Sequence, residues 1–297
     1  MSSPQDGIFT EGSSEHQYLE YRLPDGADAA ALRAVLGGVL SDAVEPVQRV
    51  VAFGPALWSR LAPDAVPPDC HAFAAIDGPG GRSAPATGGD LFFWLHGTAS
   101  DAVFDAGLAV HGALAPLAEL QLNERGFTYH DSRDLTGFID GTANPKDEAA
   151  RQAALVPDGS PGAGGSFVLT QRWIHDLAAF GALAQGEQER VIGRTKPDSV
   201  ELEGEAMPAD SHVSRTDAAV RGVAQKIYRR SAPFGRVDRH GLYFLAFACA
   251  LARFDLLLAR MFGTTDDGVT DRLTEFSRPD TGAYWFAPGR EALAALN

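Results

Sequence analysis

Two cysteines in 297 residues leave little room for sulfur chemistry. Cys70 and Cys249 stand far apart, with no CxxC, no CxxCH and no zinc-type spacing, which excludes a disulfide scaffold, a zinc ribbon and a thioether-linked cofactor. Positive charge is also scarce. Lys and Arg number 25 against 39 Asp and Glu, for a formal net charge of −14. That balance repels phosphate backbones and anionic lipid, so nucleic-acid and membrane-surface partners are disfavoured and a small-molecule partner is expected. Long apolar runs are missing too: GLYFLAFACALA, from Gly241 to Ala252, is too short to span a bilayer and gives way to Arg253 and Asp255. It reads as buried core. The opening MSSPQDGIFTEGSSEHQ has no basic segment ahead of an apolar run. No secretory or twin-arginine export signal is therefore expected, and the cytoplasm is the expected compartment.

Several catalytic and binding motifs are absent as well. The Gly-rich stretches GPGGRSA and PDGSPGAGGS contain neither GxGxxG opening a helix nor a Walker GK[ST], so both read as loops. There is no GxSxG elbow for a hydrolase and no HExxH for zinc. What is present is 45% apolar content, enough for a sizeable core, in an order of elements that can be followed. Strand patterns at QYLEYRL (17–23), RVVAFG (49–54), DLFFWLHG and AELQLNERGFTYHD alternate with helical spacing over Ala27–Val44 and Asp101–Leu117. The order is strand, helix, strand, strand, helix, strand, the split βαβ or ferredoxin-like pattern. It partly repeats after residue 157, with SFVLTQRWIHD, a helix over Leu177–Val191, strands at KIYRRS and GLYFLAFA, a helix over Arg253–Phe262 and a last strand at GAYWFAP. The expected fold is α+β, two ferredoxin-like domains over 1–144 and 145–297, each an antiparallel sheet with helices packed on it.

One stretch places an acid where chemistry could use it. LTGFIDGTANP (135–145) sets Asp140 between an apolar run and a chain break, where Asp-Gly can be turn chemistry alone or a positioned carboxylate. Further on, KIYRRS carries adjacent arginines. If it is a strand, Ile227, Arg229 and Ser231 share one face and Lys226, Tyr228 and Arg230 the other. The face with Ile and Ser looks inward, so Arg229 is the pocket arginine and Arg230 an outward, solvated charge.

GFIDGTANP, GRTKPDSVEL (193–202), SHVSRTD (211–217), KIYRRSAPFG (226–235), GLYFLAFACA (241–250) and TGAYWFAP (281–288) together closely resemble the bacterial dye-decolorising peroxidases of the B-type subgroup. The resemblance implies one noncovalent haem b per chain, in a pocket of the C-terminal half, with His212 as axial iron ligand and Asp140 and Arg229 on the peroxide side. A proximal imidazole feeds electron density to iron, a carboxylate shuttles the peroxide proton, and a guanidinium stabilises charge as the O–O bond breaks. It also implies hydrogen peroxide and a one-electron donor as partners, an oxidised ferryl state, and a homo-oligomer. Ser231 stands at a family position often held by Asn. Arg194 is the candidate for a haem propionate, Arg215 for fixing the cofactor-bearing loop, and Asp271 for the carboxylate that accepts the His212 ring N–H. His16, His71, His96, His111, His130, His175 and His240 read as structural. The alternative to an enzyme is a haem-binding, storage or delivery protein with little turnover.

Overall fold

A computed structural model describes residues 2–41 and 46–296. The first half runs β1 (Glu15–Arg22), α1 (Ala29–Ser41), β2 (Gln48–Phe53), α2 (Pro55–Leu61), the short β3 (Ile76–Asp77) and β4 (Ser83–Ala84), β5 (Leu91–Gly97), α3 (Ser100–Leu114) and β6 (Glu119–Phe127). The second opens with α4 (Asp147–Ala154), β7 (Ser166–His175), α5 (Leu177–Gly181), α6 (Gln185–Ile192) and α7 (His212–Thr216). It continues through β8 (Ala219–Val220), β9 (Val223–Ala224), β10 (Tyr228–Arg229), β11 (Ala232–Arg236) and β12 (Arg239–Ala248). It closes with α8 (Leu251–Met261), β13 (Ser277–Pro279), β14 (Ala283–Ala287) and α9 (Arg290–Ala294). The helix expected over 27–44 is present as α1, and the end of that expectation lies partly outside the described residues. The single helix expected over Leu177–Val191 is two. Asp176 caps α5 through the Ala179 N–H, the chain straightens at Ala184, and the Gln188 amide takes the Leu183 carbonyl left open at the break.

Each half builds the ferredoxin-like sheet that the order of elements predicts. In the first the strands lie β6-β1-β5-β2, and in the second β14-β7-β12 continues to β10 and β11, all antiparallel. The two sheets then join at both edges. Phe53 of β2 pairs with Phe286 of β14, and Gly126 of β6 with Phe234 of β11, which closes eight strands into a ring. Gly126 suits its seam, because a Cβ there would sit 3.1 Å from the Ala232 Cβ and 3.2 Å from the Tyr18 ring.

Closure explains why β1, β5, β7 and β14 read as nearly continuous buried runs: both of their faces are covered, whereas β6 exposes alternate residues. Tyr18, Phe92, Trp94, Tyr243, Leu245, Phe247 and Trp285 fill the inside of the ring. Outside it, Leu32 and Leu36 of α1 and Val103 and Val110 of α3 cover the first sheet, and Phe254 and Leu258 of α8 lie over the second.

One carboxylate shares the apolar interior. Glu20 is 2% exposed, with Tyr243 donating at 2.8 Å and Thr170 at 3.4 Å. Burial pushes its carboxyl up to about 7, with the two hydroxyl donors and Arg172 pulling weakly the other way. The folded chain thus keeps a proton that the unfolded chain releases near 4.5. The resulting stability is complete below that pH and is lost as pH rises through about 7. Denaturant midpoints should therefore fall over this window, and Glu20→Gln should flatten the fall. Equal slopes in both proteins would show that Glu20 titrates normally.

Candidate functional site

The cavity that could hold a ligand lies on the outer face of the second sheet. Strand alternation brings Leu169, Gln171 and Trp173 of β7 and Leu242 and Phe244 of β12 to its floor, while Phe254, Leu257, Leu258 and Met261 of α8 wall it. Its cavity volume is about 250 Å³, and it opens to solvent. His212, Asp140, Arg229 and Arg194 all line it.

His212 is the first residue of α7, behind the cap made by Ser211, whose hydroxyl accepts the Ser214 N–H. Its Nδ1 lies 2.6 Å from Asp271 Oδ2, and that carboxylate is fully buried. Asp271 is itself a cap: its Oδ1 accepts the Leu273 N–H at 2.9 Å. A carboxylate only accepts, so Nδ1 carries the proton and Nε2 is left as a lone-pair donor.

Asp140 makes both of the things its sequence allowed. Its Oδ1 accepts the Gly141 N–H at 2.6 Å, in a turn where Gly141 has φ +75°, yet the side chain also lines the cavity. Oδ2 has no protein partner among the described residues. Asn144, which the sequence reading passed over, joins this turn to β10. Its amide donates to the Arg229 carbonyl at 2.7 Å and accepts the Arg229 backbone N–H at 3.0 Å, fixing the arginine by its main chain. The Arg229 Nη atoms carry no protein partner among the described residues.

Other expected site residues fall differently. Ser231 lies past the two-residue β10, is not among the lining residues, and its hydroxyl accepts the Leu245 N–H at 3.3 Å. Arg215 is also absent from the lining. It is 3% exposed and bonds the Arg260 carbonyl and Asp267, pinning α7 to the end of α8. Arg194 lines the cavity already engaged with the Ser199 carbonyl and Glu201. Two lining residues were read only as structure or not at all. His175 pairs with Asp134 at 3.0 Å, and Gln171 is 1% exposed with an Nε2 that has no partner among the described residues. Burial works to raise the Asp134 carboxyl, but His175 and the Thr136 donors hold it below the usual range.

Arg230 corrects the expectation of an outward, solvated charge. The alternation holds over Ile227, Tyr228 and Arg229 alone, since β10 is two residues long: Lys226, expected on the far face, lines the cavity and Ser231 does not, and the far face is the barrel interior. Arg230 donates to the Ile8 and Thr10 carbonyls at 2.6 Å each and lies 4.9 Å over the Trp94 ring. Burial, with Arg230 beside them, pushes His16 down to about 4 and His96 down to about 3, so both stay neutral in this core. Arg230→Leu should cost about 2–3 kcal/mol, since it strips two charge-assisted bonds from buried-facing carbonyls. An unchanged denaturant midpoint would contradict this.

Paired ferredoxin-like sheets, the second carrying this cavity, define a two-domain α+β fold. The comparisons narrow it. The family model described as Dyp-type peroxidase, N-terminal, matches residues 5–128, and that described as Dyp-type peroxidase, C-terminal, matches 131–292. A dye-decolorizing peroxidase of Mycobacterium tuberculosis is 36% identical over 253 residues, covering 83% of this chain and 75% of the relative. Among solved structures, a DypB variant of Rhodococcus jostii RHA1 in complex with heme superposes with TM-score 0.92 at 35% identity over 99% of each chain. A dye-decolorizing protein from V. cholerae gives TM-score 0.87 at 40% identity, over 98% of this chain and 97% of its own. The chain belongs to the Dyp-type peroxidase family, and its enzyme class is peroxidase. No helix among the described residues is long and apolar enough to cross a membrane.

Proposed function

We propose that this chain binds one noncovalent haem b in the cavity of its second half and reduces hydrogen peroxide at the expense of one-electron donors such as dyes. The His212–Asp271 bond at 2.6 Å, in a cavity shared with Asp140 and Arg229, carries the reading. The donor set fits that group. Nε2 of His212 is the free imidazole nitrogen on the cavity, the walls are apolar, and the unpaired Gln171 amide offers a hydrogen bond to an occupant. Among the described residues no cluster of three metal-ligating side chains competes for a metal.

His212 would hold the iron through Nε2, with Asp271 fixing the tautomer and raising the basicity of the ring. Bound haem supplies the electrons that reduce peroxide and is restored by single electrons from the donor. Asp140 Oδ2 takes the proton from the peroxide oxygen nearer the reaction and returns it to the departing oxygen, which leaves as water. Arg229 holds a fixed positive charge where negative charge grows, and Asn144 keeps it there by its backbone. Cysteine usage supports a cytoplasmic setting: Cys70 and Cys249 are free thiols.

Rapid mixing of the haem-loaded protein with peroxide, followed by its absorption spectrum, tests the reading. A fast change of the Soret band, reversed by a reducing dye, is expected. A stable Soret band with no response to peroxide would instead indicate haem storage, and no Soret band after haem addition would remove the haem reading altogether.

A further inference from the structure

The cavity wall holds a hydrogen-bonded His–Asp pair that the chemistry above does not use. His175, the last residue of β7, places Nε2 3.0 Å from Asp134 Oδ1 and Nδ1 2.7 Å from the Ser277 hydroxyl of β13. Its side chain is 6% exposed and that of Asp134 14%. Asp134 Oδ2 meanwhile accepts the Thr136 N–H at 2.9 Å and the Thr136 hydroxyl. Every polar atom of the pair is thus committed to protein, so it is built to hold something in place.

What it holds is the segment that carries Asp140. Residues 129–140 fold back on themselves through bridges between Tyr129 and Arg133 and between Arg133 and Ile139. The turn is closed by Asp134 N–H to the Phe138 carbonyl at 2.9 Å and Gly137 N–H to the Asp134 carbonyl at 2.8 Å, with Gly137 at φ +88°. Arg133 reaches the Gly137 carbonyl at 2.8 Å, and the Asp140 N–H bonds the Ser132 carbonyl at 3.0 Å. Asp134 and Asp140 therefore belong to one hydrogen-bonded unit. His175 fastens that unit to β7 from one side, and Asn144 fastens it to β10 from the other. Arg133 also ties the unit to the Lys196 and Pro197 carbonyls, outside the sheet, so loss of the His175 tie frees the Asp134 side of the turn from β7 and lets the Asp140 carboxylate shift.

We infer that Asp134 and His175 are positioning residues for the peroxidase reaction, a couple that sets where the Asp140 carboxylate stands in the cavity. The inference rests on the proposed role of Asp140 as proton carrier. A misplacement near 1 Å can cost a proton-transfer group as much as 10²-fold, so a loss of about 10-fold or more is expected when the tie is cut.

The test is a double-mutant cycle on the haem-loaded protein. His175→Ala should slow the peroxide reaction about 10-fold with haem per chain unchanged, and should speed amide exchange across residues 134–141. His175→Gln, whose amide can donate to Asp134 and accept from Ser277, should restore most of the rate. In an Asp140→Asn background, His175→Ala should add less than about a twofold loss, because the group it positions is already gone. Asp134→Asn keeps an oxygen for the Thr136 amide and should give the same non-additive pattern, even where His175→Ala loads haem poorly. The full factor reappearing in the Asp140→Asn background, or a native rate in both His175→Ala and Asp134→Asn, would overturn the inference. A native rate for Asp140→Asn alone would instead sink the role given to Asp140, so the two failures are distinct.

Discussion

His212→Ala should yield a folded chain that no longer retains haem at one per chain. The expectation follows from the ring nitrogens that are already engaged elsewhere. His175 has both nitrogens engaged, His16 and His96 sit neutral in the barrel interior, and His71 and His240 bond backbone carbonyls at the surface. Of the two histidines that line the cavity, His212 has an Nε2 without a protein partner among the described residues. Removing the ring also leaves Asp271 Oδ2 buried and unpaired, at a cost of about 1–3 kcal/mol to the fold. Ser211 still caps α7 and Asp271 Oδ1 still caps the turn at Leu273, so the site should keep its shape while losing its ligand. Haem content by absorbance, alongside far-UV circular dichroism, separates the two effects. An unchanged Soret band in His212→Ala would mean that another residue holds the iron.

The second large effect is expected at Arg229. Arg229→Leu should slow the peroxide reaction by about 10²-fold or more, the usual consequence of removing a preorganised charge from a water-poor site. Asn144 holds the Arg229 main chain through two bonds and meets its side chain only through Nε at 3.5 Å, so the leucine variant keeps the strand in place, and the loss reports mainly on charge. Asp140→Asn should slow the same step less, since a water can relay a proton but cannot stand in for a fixed cation. Arg230→Leu should leave the rate within a few-fold while lowering stability. Rapid-mixing rates on the three variants, each at equal haem content, give the order. Arg230→Leu proving slower than Arg229→Leu would mean that the guanidinium acting in the cavity had been assigned to the wrong neighbour.

Residues whose backbone demands are local were the most legible. GFIDG reads as a turn because Gly137 and Gly141 both take positive φ, whereas SHVSR, expected as a loop, is the short helix α7 capped by Ser211. Strand periodicity likewise separated Arg229 from its neighbour correctly in direction. It could not say what lay on the far side. Whether that face meets water or a second sheet depends on pairings such as Gly126 with Phe234, which no local window contains. Arg230 was misread as solvated for that reason. Asn144 escaped notice because its partner is 85 residues away, and Asp271, 59 residues from His212, was reachable only through a family likeness. The split of α5 from α6 hangs on one extended alanine, Ala184, a signal too weak to outweigh an apolar helical spacing.

The closed ring also ties the histories of the two halves together. Tyr18 stacks on Tyr243 with ring centres 3.8 Å apart, Phe92 on Trp285 at 5.6 Å, and Trp94 meets Phe247 at 6.1 Å. Each of these pairs joins a strand of one sheet to a strand of the other. A change of volume on one partner has to be answered across the barrel, in a segment more than a hundred positions further along the chain. Pairs such as these should therefore vary together among relatives, and exchange of one half for that of a distant homologue should succeed only when the inward-facing rings of both sheets travel as a set.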